Sequence, residues 1–114
     1  MPLLNAIELR RAISLQANAN QKILMRNTYT KNRITFTGRD AGTVVVKVKM
    51  FCVGDDNQNT KVSDYRDGDF ENIVNGTIDL SQRKTIIING ELSAIWIVDQ
   101  GSSDYKVDIH QTNN

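Results

Sequence analysis

Asp55, Asn57 and Asn59 stand at the spacing with which a calcium loop presents its first three oxygen ligands. The likeness stops there. Thr60 takes the place of the turn glycine and Arg66 that of the bidentate glutamate, so the loop lacks its tightest ligand. Asp64, Asp67, Asp69 and Glu71 form a second acidic cluster, of the kind that solvated surface loops carry. One His and one Cys cannot build the three or four N/S ligands of a zinc site within one chain. Nucleophilic catalysis needs a base, and the conventional one is His110, which alternates with Val107 and Ile109 and so belongs on the solvent side of a strand. Carboxylates suited to glycoside hydrolysis lie in turns rather than inside a strand-built cleft, and no Gly-rich phosphate loop is present. Cys52 follows Met50 and Phe51 on a predicted strand without a charged neighbour, so a small, buried, inert thiol is expected, compatible with a reducing compartment. Asn75-Gly-Thr77 matches a glycosylation sequon, which has no meaning without a secretory leader. The expectation is a chain that is not an enzyme, with no catalytic residue, metal site, cofactor or small-molecule substrate.

Trp96 is the remaining candidate, because a tryptophan on a β-sandwich can stack on sugar rings. Alternation puts Ile95 and Ile97 on one face of its strand and Ala94, Trp96 and Val98 on the other, so both faces are apolar. Such a strand is central between two layers or offers one face to another subunit. Core or interface packing fits Trp96 better than sugar binding, since tryptophan is enriched in interface hot spots and the aromatic content is only 6%.

Short strands must position these residues. Thr85-Ile-Ile-Ile-Asn-Gly90, Leu92-Ser-Ala-Ile-Trp-Ile-Val98 and Tyr105-Lys-Val-Asp-Ile-His110 alternate with period two. Earlier strands are expected at Ile23 to Arg26, Arg33 to Thr37 and Thr43 to Val53, with Val44, Val46, Val48 and Met50 facing one way. Polar loops follow at Gly54 to Thr60 and Asp64 to Asp69, then strands at Phe70 to Val74 and Thr77 to Leu80, separated by Asn75-Gly76. Asn89-Gly90 between two apolar runs predicts a two-residue type I′ hairpin, and Asp99 to Asp104 a closing hairpin. Near the start, Ile7, Leu9, Ile13, Leu15 and Ala17 alternate with Arg11 as the one violation, which predicts an extended arm becoming a strand near Ala12. The fold class expected is all-β: a single-domain antiparallel β-sandwich, jelly-roll or Ig-like, over residues 21–114, with an extended N-terminal arm over residues 1–20.

At 114 residues the chain can hide roughly two thirds of its unfolded surface without staples. Hydrophobic residues at 39% and charged residues at 24% exclude disordered and collagen-like classes. The longest apolar runs fall far short of a spanning helix and no charged-then-apolar leader opens the chain, so neither a membrane nor secretion is expected. Net charge is +1, yet residues 1–51 carry nine bases against two acids and residues 52–114 five bases against eleven acids. Opposite charges facing across neighbouring strands would cancel much of that asymmetry. The alternative is a basic arm of one subunit meeting an acidic face of the next. Nucleic acid is disfavoured, because clustered aromatics and a groove-reading motif are both missing.

Arg33-Ile-Thr-Phe-Thr-Gly38, Gly42-Thr-Val-Val-Val-Lys-Val48, Asn75-Gly-Thr-Ile-Asp-Leu80 and Glu91-Leu-Ser-Ala-Ile-Trp-Ile-Val98, followed by a Gly-Ser turn and Tyr105-Lys-Val-Asp-Ile109, resemble small structural proteins of tailed bacteriophages. The resemblance covers about two thirds of the chain, from Arg33 to Gln111. It implies a capsid decoration (cement) protein that stabilises the phage head through subunit contacts. Its partners would be the major capsid protein and copies of itself, and its place the virion, after synthesis in the host cytoplasm. A phage tail component or a receptor- or carbohydrate-binding module is the second reading. In the decoration reading, the alternation of residues 3–17 and the basic first half predict that this arm extends onto an adjacent subunit, with Leu4, Ile7, Leu9, Arg10, Arg11, Ile13 and Trp96 as interface candidates.

Overall fold

A computed structural model describes residues 8–16, 20–52, 54, 59–99, 101 and 103–113. Eight strands follow in order: β1 (Glu8–Leu15), β2 (Asn20–Leu24), β3 (Lys31–Thr37), β4 (Thr43–Met50), β5 (Glu71–Asp79), β6 (Thr85–Asn89), β7 (Leu92–Asp99) and β8 (Tyr105–Thr112). Two short 3₁₀ turns, Val62–Asp64 and Asp67–Asp69, precede β5. The strands form two antiparallel four-stranded sheets, the first ordered β1-β8-β3-β6 and the second β2-β7-β4-β5. The first strand thus pairs with the last, β2 with β7, β3 with β6 and β4 with β5. That nesting is the eight-stranded jelly roll, and it decides between the two sandwiches the sequence allows.

Period-two alternation builds the core. Val44, Val46 and Val48 of β4, Ile34 and Phe36 of β3, Ile95 and Ile97 of β7, and Val107 and Ile109 of β8 fill the space between the sheets with almost no exposure. Met50, expected on that same face, is exposed, because the β4–β7 register shifts after Lys49 and rotates it out. A polar network of Asn32 and Gln111 sits inside. Gln111 donates to the Asn32 side chain (2.8 Å) and to Arg26 O (2.9 Å) and accepts from Arg26 N (3.1 Å), while Asn32 donates to Ile88 O (3.0 Å) and Gly90 O (2.9 Å). Its bonds tie the β2–β3 connection to the β6–β7 corner at a buried location where an unmade bond would cost about 1–3 kcal/mol.

Three expectations about the connections change. The Asn89-Gly90 pair makes a corner between sheets instead of a hairpin: β6 lies in the first sheet and β7 in the second. A type I′ turn needs positive φ at both residues, and among the described non-glycine residues only Asn75 has it. Asn89 stays extended opposite Lys31, while Gly90 N–H donates to Thr30 O (2.7 Å) and bends the chain across. The β7–β8 connection likewise crosses between the sheets, so the closing hairpin is absent too. Phe70 to Val74 and Thr77 to Leu80 are one strand, β5, interrupted by a bulge. Asn72 faces Lys47 and Thr77 faces Val45, so four residues crowd against Val46. Asn75 turns left-handed (φ 62) and Gly76 approaches so closely that a Cβ there would sit 2.7 Å from Val46 O.

Residues 8–15 form a regular strand from Glu8 rather than from Ala12, and β1 runs the length of its own chain's β8, from Glu8 opposite Thr112 to Leu15 opposite Tyr105. Arg11, the violation of the alternation, does face inward, and its guanidinium escapes an apolar fate by donating to Leu24 O (2.8 Å). Cys52 lies beyond the end of β4 and is exposed, not buried, because the strand stops at Met50.

Part of the charge asymmetry is met by ion pairs between the two halves of the chain. Arg10 meets Asp108 (3.4 Å), Lys22 meets Asp67 (2.6 Å) and Arg39 meets Asp99 (2.5 Å), each joining a basic residue of the first half to an acidic one of the second. The nested topology brings the two halves together, which sets Arg10 of β1 beside Asp108 of β8 and carries the other two pairs into the turns.

Candidate functional site

The outer face of the second sheet carries the most organised surface. β7 is central there, so Ala94 and Trp96 project away from the core while Ile95 and Ile97 enter it. Residues 61–70 fold across this outer face as a partial third layer. Each 3₁₀ turn is closed by its own aspartate: Asp64 accepts from Lys61 N–H (2.9 Å) and Asp69 from Arg66 N–H (2.8 Å). Each then delivers an aromatic, Tyr65 or Phe70, onto β7. Phe70 meets Trp96 edge-on at 5.7 Å and Tyr65 at 6.3 Å.

Three lysines rim the cluster. Lys22 and Lys47 each place Nζ 5.0 Å from the Trp96 ring centre, and Lys49 lies 5.8 Å from that of Tyr65. Lys22 also bonds Asp67 and Tyr65 O (3.3 Å). A shallow hollow of about 330 Å³ beside them is lined by Asn20, Gln21, Lys22, Val62, Asp67 and Trp96. Trp96 is therefore half-buried under its own chain, not a bare platform for a sugar ring.

The sequence carried an unused signal for this layer. Lys61-x-x-Asp64-Tyr65 and Arg66-x-x-Asp69-Phe70 repeat one pattern of base, aspartate and aromatic. Read as an acidic loop, it hides that Asp64 and Asp69 are turn locks and that Asp67 serves Lys22. Of the first acidic loop, Asp55 and Asn57 lie outside the described residues. Among the described residues no cluster of three or more His, Cys, Asp or Glu could hold a metal.

At one end of the sandwich, Arg39 and Asp99 form a bidentate ion pair (2.5 and 2.9 Å) with both side chains buried. The Asp99 hydrogen bond holds the guanidinium above its ordinary pKa. Its Cζ lies over the ring of Tyr105, 4.4 Å from the centre, and the Tyr105 phenol is pushed up to about 12, chiefly by burial and then by the Asp99 carboxylate. Gly101 passes over the pair, and a Cβ there would lie 2.0 Å from Arg39 Nη1. The arrangement pins the β3–β4 turn to the β7–β8 connection.

His110 lies on the outer face of the first sheet, as its alternation predicts. Its Nδ1 is 2.8 Å from Arg33 and its Nε2 2.6 Å from Glu8. A guanidinium only donates, so Nδ1 accepts and Nε2–H donates to the carboxylate, the neutral tautomer bridging β1 to β3. Histidine here meets a carboxylate and a base on flanking strands. The interface candidates divide accordingly: Leu9, Arg11 and Ile13 face inward on β1, Arg10 faces outward against Asp108, Trp96 belongs to the opposite sheet, and Leu4 and Ile7 lie outside the described residues. The five described candidates do not share one surface.

No protein-family model and no curated protein matches the chain. Among solved structures, the SPBc2 prophage-derived protein YomS is similar in fold: TM-score 0.53 at 7% identity, covering 96% of this chain and 98% of that one. The Yersinia pseudotuberculosis-derived mitogen YPM aligns at TM-score 0.49 and 14% identity, over 94% of this chain and 86% of that one. A chain from the disulfide-linked pili of Bacillus endospore appendages aligns at 0.46 and 11%, over 95% and 88%. The first of these supports the sandwich fold over 96% of this chain. Among the described residues no helix is long and apolar enough to cross a membrane.

Proposed function

We propose that this chain is a non-enzymatic virion structural protein of the capsid decoration type, acting through surface area and subunit contacts. The observation that carries the reading is the jelly-roll strand order, an architecture shared with viral capsid domains. A prophage-derived protein of similar fold supports it. So does the way the polar side chains are used: His110, Asp64, Asp69, Asp99 and Arg39 each brace backbone or a neighbouring strand. Binding of this kind needs about 1,600 Å² of contact and no reactive group. Its partners are the major capsid protein and further copies of the chain.

The test is co-sedimentation of the purified protein with heads of the encoding phage assembled without it. The expected result is saturable, stoichiometric binding and heads that withstand heating better. Heads that sediment without the protein at every concentration overturn the reading.

A further inference from the structure

Each sheet has two edge strands, β1 and β6 in the first, β2 and β5 in the second. An edge offers unpaired N–H and C=O groups to any passing strand, and natural sheets blunt it with charge, bulges or cover. β1 carries Glu8, Arg10 and Arg11, and β2 carries Lys22. β5 is bulged, and the Arg83 guanidinium donates to Asn75 O and Thr77 O along its edge. β6, Thr85-Ile-Ile-Ile-Asn89, carries no charge, no proline and no bulge, its register with β3 is unbroken, and Thr85, Ile87 and Asn89 are exposed.

The ladder fixes which groups of β6 are free. Phe36 N–H donates to Lys84 O and Gly90 N–H to Thr30 O, both at 2.7 Å, at the two ends of the strand. Hydrogen-bonded pairs alternate along an antiparallel ladder, so even-numbered residues face β3 and the main-chain groups of Thr85, Ile87 and Asn89 point off the edge. The 3.1 Å contact between the Thr35 and Thr85 hydroxyls agrees, since side chains come closest in the non-bonded pairs. Ile87 stands on the outer face, 51% exposed, while Ile86 and Ile88 are buried.

We propose that the β6 edge is a self-complementary docking surface for a second copy of this chain, joined antiparallel about a two-fold axis through Ile87. In that register Ile87 lies opposite Ile87 of the second copy and Thr85 opposite Asn89, so the outward main-chain groups of all three residues are satisfied. The two Ile87 side chains cover each other, and Ile86 beside Ile88 of the second copy continues the core seam across the junction. Arg33, which neighbours Ile87 on β3, is kept from its counterpart by both β6 strands. At about 4.8 Å per strand that is about 14 Å, beyond the Debye length at physiological salt. The pairing rests on the assembly reading for its use and not for its geometry.

The decisive feature is that position 87 meets itself. Native mass measurement of the full chain at concentrations on the order of 100 µM should find a dimer. Ile87→Lys and Ile87→Glu, at an exposed site that leaves the far-UV spectrum unchanged, should each raise the dimer dissociation constant at least about tenfold. An equal mixture of the two should recover the dimer, because lysine then faces glutamate. A monomeric wild type, variants that dimerise like it, or a mixture no tighter than its components would each overturn the proposal, the first leaving the edge to a foreign strand. Dimers that ignore heads would overturn only the head reading, and monomers that bind heads only the β6 pairing.

Discussion

Tyr105 shows how a residue of this sandwich is tuned by burial instead of by use. Its hydroxyl has no hydrogen-bond partner among the described residues, and its ring supports the buried Arg39 guanidinium. An unfolded chain ionises this phenol near pH 10, whereas the folded protein holds the proton until about 12. The raised value means that its contribution is fully present below pH 10 and is lost as pH climbs through 12. Tyr105→Phe removes an orphan hydroxyl while keeping the ring, so urea denaturation at neutral pH should find stability within about 1 kcal/mol of wild type. Above pH 10 the variant should lose less; equal alkaline losses in the two proteins would contradict this account. The Arg39–Asp99 pair beneath it was invisible in sequence, because the residues are far apart in the chain and neither sits in a recognisable motif. The outward placement of His110 was legible, since alternation alone sets it.

At the level of elements, the 61–70 layer has the simplest local logic. A repeated pattern of base, aspartate and aromatic makes two locked turns, and the aromatics pay for the ordering by covering β7. Removing a lock should loosen the layer without unfolding the sandwich. Asp64→Ala or Asp69→Ala loses a side-chain-to-backbone bond worth about 1 kcal/mol by analogy with helix caps. Trp96 is the chain's single tryptophan and reports the result directly. Its emission should shift to the red and quench more readily in either variant. Unchanged emission in both would mean that the layer stays closed without its aspartates. The strand pattern was readable because period two survives in β3, β4, β6 and β8. The bulge in β5 was not, as Asn75-Gly76 reads as a strand end in any short window.

For the whole molecule, the nested order makes nearly every contact distant in sequence, with β1 closing on β8 at the two ends of the chain. Loop-closure entropy must be met before those pairings return anything, which slows folding. Stopped-flow refolding followed by Trp96 fluorescence should therefore run on the order of milliseconds to seconds. Microsecond relaxation would argue that local structure dominates. The same nesting interleaves the basic and acidic halves, so exposed pairs such as Arg10–Asp108 contribute about 1 kcal/mol or less while the buried Arg39–Asp99 pair anchors an end of the sandwich.

What the amino-acid order determined on its own was the all-β class, most of the strand positions and the inward or outward sense of most strand side chains, because these depend on alternation within a few residues; Met50 departs from it where the β4–β7 register shifts. Which strand lies beside which was decided only in three dimensions. Asn89-Gly90 is a hairpin signal by local rules, yet the capture of Gly90 by Thr30 and Asn32 sends the chain to the opposite sheet. A short segment encodes its own curvature, whereas its neighbour is chosen by the burial that the remaining chain makes available.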